Sequence, residues 1–361
     1  MNTNNGRNLK LARDSRGLSQ SKLADLLKIT QATLSRIEKG QIPLSDTIIT
    51  GASECLDYPR SFFKKNVPIA GETTLFFRKR ATMTTKCLSV LESRINILAN
   101  CIDELIESVE IPELMIPSVE PSLDNTPAEI AFKIRNYLKV PQGPIDNIVT
   151  LLERNGVVVI FIDLESADKF DGLTMFTNKQ VPVIWLNKKM PNDRKRFSLA
   201  HELGHLVMHL RSQDLDKPEV DKEREANEFA SEFLMPKELC KTDFFNLRYN
   251  DLALRKVYWK VSKAAIIYRA RELNCISEST KRYLFITLGR NGERKQESVE
   301  VSIDSPKIVY KMTKLHLDEL EYSMEELADL LGLSPSEIKA CLLNEPNIFH
   351  YLKTNKLSIS L

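Results

Sequence analysis

Apolar positions change their spacing several times along the chain, and each change predicts a different kind of element. Between residues 6 and 66 they recur at helical intervals in short stretches. Leu9, Leu11 and Ala12 open one helix, and Leu23, Ala24, Leu26 and Leu27 make a second, capped by Ser19. Thr30 caps a third over 31–39, which Gly40 ends. A longer helix is expected over 85–108, followed by a stretch with Pro112, Pro117, Pro121 and Pro127 that no continuous helix traverses and that reads as a linker. After a helical pattern at 128–152, runs of β-branched and apolar residues at 157–162, 172–176 and 181–186 read as strands. Helical spacing returns at about residue 192 and continues to 290. The fold class this predicts is α+β: an N-terminal all-α domain, a central mainly helical domain with a small β-sheet, and a helical C-terminal tail.

The second and third helices are joined by a tight turn, and the third presents Gln31, Thr33, Ser35 and Arg36. That is the anatomy of a DNA-reading helix-turn-helix. Charge agrees with it. The whole chain carries only +2, but residues 1–66 hold eleven Lys/Arg against six Asp/Glu, which suits an anionic partner. The run Ser19-Gln20-Ser21-Lys22-Leu23-Ala24-Asp25-Leu26, continued by 31–40 with its Ser35-Arg36-Ile37-Glu38-Lys39-Gly40 ending, resembles the Cro/Xre repressor domain. The resemblance implies a double-stranded DNA operator and a homodimer. Gln31, Thr33, Ser35 and Arg36 would approach base edges, with Gln20 and Lys39 near phosphates.

Three of the five histidines fall in His201-Glu202-Leu203-Gly204-His205-Leu206-Val207-Met208-His209, whose first five residues spell H-E-x-x-H. On a helix, His201 and His205 share a face and can meet one metal ion, and Glu202, about 100° around, is placed as a general base. A catalytic zinc site needs a third protein ligand, for which His209, Glu223 and Glu225 are the candidates. Three ligands along one straight helix span about 12 Å, so His209 reads as a packing residue or a support for a ligand. Glu223 shares a helix face with the small Ala226, Asn227 and Ala230, which permits close approach to the histidine helix. Asn227 would orient a histidine ligand. Glu225 lies about 200° from Glu223 and is expected to face elsewhere, so Glu223 is preferred. The strand at 181–186 is the candidate sheet edge for an extended substrate.

Arg196 through His205, together with Glu223-x-x-Ala226-Asn227-x-Phe229-Ala230 and Leu234-Met235-Pro236, resembles the ImmA/IrrE metallopeptidase family over roughly residues 130–275. The resemblance implies a zincin-like zinc peptidase with Zn2+ as cofactor, His201, His205 and Glu223 as ligands, and Glu202 as catalytic base. It also implies a protein substrate such as a repressor or antitoxin. Tyr249, Arg255 and Tyr258 lie downstream and are expected to be structural rather than oxyanion donors.

The domains expected are 1–66, DNA-binding; 67–127, helical bridge and proline-rich linker; 128–290, peptidase; and 291–361, tail. Six scattered cysteines without a C-x-x-C pair read as ordinary buried thiols, and Arg78-Lys79-Arg80 reads as a solvated basic face. In the tail, Ser323-x3-Leu327-Ala328-Asp329-Leu330-Leu331 echoes Ser19-x3-Leu23-Ala24-Asp25-Leu26-Leu27, with Ser334 in the place of Thr30. Its would-be reading helix, 335–342, has no Arg and follows an acidic segment, so protein docking is expected there rather than DNA contact. No apolar run is long enough for a membrane span or signal peptide, which predicts no membrane partner and a cytoplasmic location. Together these features predict a DNA-binding transcriptional regulator in which proteolysis of a regulatory protein is coupled to stress, prophage or defence genes. Two alternatives are a toxin or phage-defence enzyme that autoregulates its operon, and a transcription factor with a catalytically silent metal domain.

Overall fold

The computed structural model describes residues 6–65, 84–163, 170–212, 217–294 and 296–343. The basic triplet 78–80 lies outside them. Four short helices open the chain: α1 (Gly6–Ser15), α2 (Gln20–Leu26), α3 (Gln31–Glu38) and α4 (Asp46–Leu56). Ser19 and Thr30 cap α2 and α3 by accepting from the amides of Lys22 and Thr33, as N-cap side chains do. Leu9, Ala12, Leu23, Leu34 and Ile37 close the core between them. Helix α5 (Thr85–Leu105) runs from α1 toward the central domain. Residues 110–126 are not helical, as their prolines require, yet they are packed. Val119 donates its amide to the Val207 carbonyl at 2.9 Å, and Ile116 is buried.

Helices α6 (Pro127–Tyr137) and α7 (Ile148–Arg154) lead into the strands β1 (Val158–Ile162), β2 (Gly172–Phe176) and β3 (Pro182–Asn187). Their order is β1-β3-β2, with β1 parallel and β2 antiparallel to β3. The expectation that 181–186 forms the sheet edge is therefore wrong: β3 pairs on both sides, and β2 has a free edge among the described residues. One face of the sheet, including Ile160, Leu173, Met175, Val183 and Trp185, joins the cluster that holds α5 and the N-terminal helices. Val159, Phe176, Ile184 and Leu186 turn to the other cluster, around α8 (Asn192–Met208) and α9 (Glu219–Leu234). Helices α10 (Lys237–Asp243), α11 (Leu252–Trp259), α12 (Lys263–Glu272) and α13 (Glu278–Arg290) complete that second layer.

Gly204 sits where α8 and α9 cross. A Cβ there would lie 3.1 Å from Phe229 Cδ1 and 3.3 Å from the Cα of Ala226. Backbone cannot give way as a side chain can, so Gly204→Val is expected to destabilise the chain by roughly 1–3 kcal/mol. Urea midpoints check this, and a variant as stable as wild type would show that the crossing tolerates a side chain.

The tail forms α14 (Ile308–Asp318), α15 (Met324–Leu331) and α16 (Pro335–Glu337), the last running into a π-helical turn at Ile338–Leu342. Ser323 and Ser334 cap α15 and α16, so the local echo of Ser19 and Thr30 extends to the caps. The tail docks within its own chain. Arg16 Nη1 meets Glu337 Oε1 at 2.5 Å, Ser334 donates to Asp57 at 2.9 Å, and Ser61 donates to Asp329 at 2.8 Å. All six cysteines are free; Cys101, Cys240 and Cys275 are buried, while Cys55 is exposed and Cys87 and Cys341 are half-buried, so only three fit the expected buried thiol. No helix among the described residues is long and apolar enough to cross a membrane.

Candidate metal centre

Helix α8 carries His201 and His205 one turn apart on the face that meets α9, and α9 places Glu223 opposite them. The Nε2 atoms of the two histidines are 3.0 Å apart. Glu223 Oε2 lies 3.5 Å from His201 Nε2, and Glu223 Oε1 lies 3.3 Å from His205 Nε2. Among the described residues this is the one group of three such side chains whose donor atoms converge, all within 4.8 Å of one another. Both imidazoles are buried and Glu223 is half-buried. Burial pushes the His205 imidazole down to about 4, so near neutral pH it is uncharged and has a lone pair to offer.

Each histidine is held from behind. His201 Nδ1 lies 3.0 Å from Asn227 Oδ1, which only accepts, so the proton sits on Nδ1 and Nε2 faces the centre as a lone pair. His205 Nδ1 lies 3.0 Å from His209 Nδ1, and His209 Nε2 lies 2.9 Å from Glu225 Oε2. Glu225 faces away from the converging donors, as expected, but it ends on His209 rather than in solvent.

Glu202 is buried between α8 and β2, where Thr174 Oγ1 donates to its Oε2 at 2.8 Å. Gly172 makes room for the other oxygen, because a Cβ there would come within 3.2 Å of Glu202 Oε1. The backbone of β2 is oriented by its pairing. Asp171 accepts from the Asn187 amide at 3.1 Å, and Thr177 donates its amide to the Val181 carbonyl at 2.9 Å. By antiparallel alternation Gly172, Thr174 and Phe176 then turn their N–H and C=O groups to the free edge.

At the other end of the chain, Gln31, Arg36 and Lys39 are exposed on α3 and at its C-cap, and Thr33 and Ser35 are half-buried on the same helix. Gln20, at the start of α2, donates its amide to Glu38 Oε2 at 2.7 Å, and Glu38 also holds Arg13. Among the described residues, the docked tail leaves Gln31, Arg36 and Lys39 exposed.

Residues 9–63 match the family model of a helix-turn-helix, and residues 152–271 match that of the IrrE N-terminal-like domain, a peptidase family. The chain joins a helix-turn-helix domain to an IrrE-like metallopeptidase domain. No curated protein matches it. In the IrrE-like domain the donor set suits a tetrahedral ion: bonds of about 2.0–2.1 Å separate ligand atoms by about 3.3 Å. The observed separations of 3.0, 3.3 and 3.5 Å bracket that edge. Two imidazoles and a carboxylate are also one of the protein ligand sets that hold zinc.

Sequence reasoning missed Gly172 and Thr174, which flank the Glu202 carboxylate, because nothing local marks a strand residue as facing a particular helix. It also placed Glu225 without a partner, since His209 lies sixteen positions upstream on another helix. Tyr249 and Arg255 are engaged elsewhere, with Glu293 at 2.8 Å and Asp243 at 3.0 Å, and Tyr258 stands half exposed against Trp259.

Proposed function

We propose that the chain is a DNA-binding regulator whose IrrE-like domain is a zinc endopeptidase, and that cleavage of a regulatory protein is its output. His201, His205 and Glu223 are the ligands, with Asn227 holding His201. The observation that carries this reading is the convergence of His201, His205 and Glu223, beside a Glu202 that is hydrogen-bonded to Thr174 of β2, the strand with a free edge among the described residues.

An extended peptide laid along β2 would pair with Gly172, Thr174 and Phe176, which brings a scissile bond beside Glu202. Zinc, when bound, supplies a Lewis acid that polarises the scissile carbonyl and acidifies a water. Glu202 takes the proton of the attacking water on Oε1 and returns it to the leaving amine, while Thr174 keeps Oε2 fixed.

In the helix-turn-helix domain, Gln31, Thr33, Ser35 and Arg36 would read base edges of an operator. Lys39 and the start of α2 at Gln20 would lie near phosphates, and two copies would bind two half-sites. The division of labour we infer is DNA binding by 1–66, bridging by 67–127, cleavage by 128–290, and docking by 291–361.

The test combines metal content with product. Purified wild-type chain is expected to hold one zinc ion and to generate discrete new N-termini when added to a cell lysate, whereas Glu223→Gln holds far less metal and generates none. Equal zinc in both proteins, or identical N-termini, would overturn the assignment.

A further inference from the structure

The two histidines of the metal centre are supported in different ways. His201 has Asn227 directly behind it, but His205 has another histidine, and that histidine has a charged pair behind it. Lys217 Nζ lies 2.6 Å from Glu225 Oε1, Glu225 Oε2 lies 2.9 Å from His209 Nε2, and His209 Nδ1 lies 3.0 Å from His205 Nδ1. His209 and Glu225 are buried. The two rings of His205 and His209 are tilted by 57° with centroids 5.1 Å apart, so they meet through their nitrogens and not by stacking.

We propose that Lys217, Glu225 and His209 form a positioning relay that sets the tautomer and ring angle of His205. The carboxylate end fixes the rest. An ionised carboxylate only accepts, so His209 must carry its proton on Nε2. Neutral His209 is then an acceptor at Nδ1, and the two Nδ1 atoms, 3.0 Å apart, share the one hydrogen that His205 must supply. His205 is left with its lone pair on Nε2, the atom that faces His201 and Glu223. Lys217 occupies the second oxygen of Glu225 and offsets its charge. His209, Glu225 and Lys217 are positioning residues: none reaches the donor set, and each acts through the next. A histidine that merely filled space between α8 and α9 would have no stake in which nitrogen of His205 carries the proton.

This inference rests on the zinc-site reading, and the test separates the two. Zinc affinity of the full chain is measured by competition with a chromogenic chelator for wild type, His209→Phe, His209→Gln and Glu223→Gln. His209→Phe, which keeps a ring but loses the acceptor, is expected to weaken zinc binding about 10–100-fold. His209→Gln, whose amide oxygen accepts from His205 Nδ1–H, recovers most of that loss. Long-range nitrogen–proton spectra of the wild-type histidines supply a readout that needs no variant: His205 protonated on Nδ1 and His209 on Nε2. Unchanged affinity in His209→Phe, equal losses in the Phe and Gln variants, or His209 protonated on Nδ1 each overturn the relay alone. A wild-type chain that binds no zinc overturns the metal reading itself, and the relay with it.

Discussion

Replacing Glu202 with glutamine is expected to leave zinc content unchanged and to slow peptide-bond cleavage by about 10²–10⁴-fold, the range for losing a positioned general acid–base group. The substituted glutamine still accepts from Thr174 through its amide oxygen, so the side chain keeps its place between α8 and β2. What it loses is the capacity to take a proton from water and give one to the amine. Single-turnover cleavage of an identified substrate, beside metal analysis of the same preparations, reads both quantities. Cleavage at the wild-type rate would remove Glu202 from the mechanism. Loss of zinc along with activity would mean that Glu202 helps to build the site rather than to use it.

The second large effect is on stability. Arg269 on α12 is 2 % exposed and holds the end of α9: its guanidinium pairs with Glu232, reaches Glu272 at 2.8 Å and donates to the Met235 carbonyl at 3.0 Å. Glu232 is itself buried, at 7 % exposure. Arg269→Ala removes the charged partner of that carboxylate, leaving it the Lys237 amide at 2.9 Å, and is expected to cost about 3–5 kcal/mol, as breaking one side of a buried ion pair does. Replacing both partners, with Arg269→Met and Glu232→Leu, removes the buried charge and should regain most of the loss. Urea denaturation of the three chains decides it. If Arg269→Ala lies within about 1 kcal/mol of wild type, water reaches Glu232 and the pair is not buried in effect. Because α9 also carries Glu223, the same lesion is expected to loosen the metal centre.

Much of this architecture is local in origin and therefore legible in the sequence. Ser19, Thr30, Ser323 and Ser334 cap helices because a short side-chain oxygen meets orphan amides wherever a helix begins, with no help from tertiary structure. The convergence of His201, His205 and Glu223 is legible for a related reason: helical periodicity fixes which side chains share a face, and small residues such as Ala226 say where another helix comes close. Strand order is not. The runs at 157–162 and 181–186 are both continuously apolar, and only pairing partners decide that β3 is central and β2 the edge. The contact between His209 and Glu225 escapes a sequence reading because it depends on the angle at which α8 and α9 cross. The docking of the tail escapes in part for the same reason. Its acidity predicts protein contact, but nothing near Glu337 names Arg16, 321 positions away, as its partner.

Helix α5 touches both functional ends of the chain. Near its start, Lys86 and Val90 lie against Gly17, just after α1; near its end, Asp103 accepts from the amide of Asn178, in the turn between β2 and β3. Those two places are seventeen residues apart on one helix, about 25 Å at 1.5 Å per residue. A helix is stiff over that length, so α5 spans from the seat of the helix-turn-helix domain to the turn between β2 and β3. If a peptide bound at β2 changed operator affinity through α5, linkage would require the operator to change peptide affinity by the same factor.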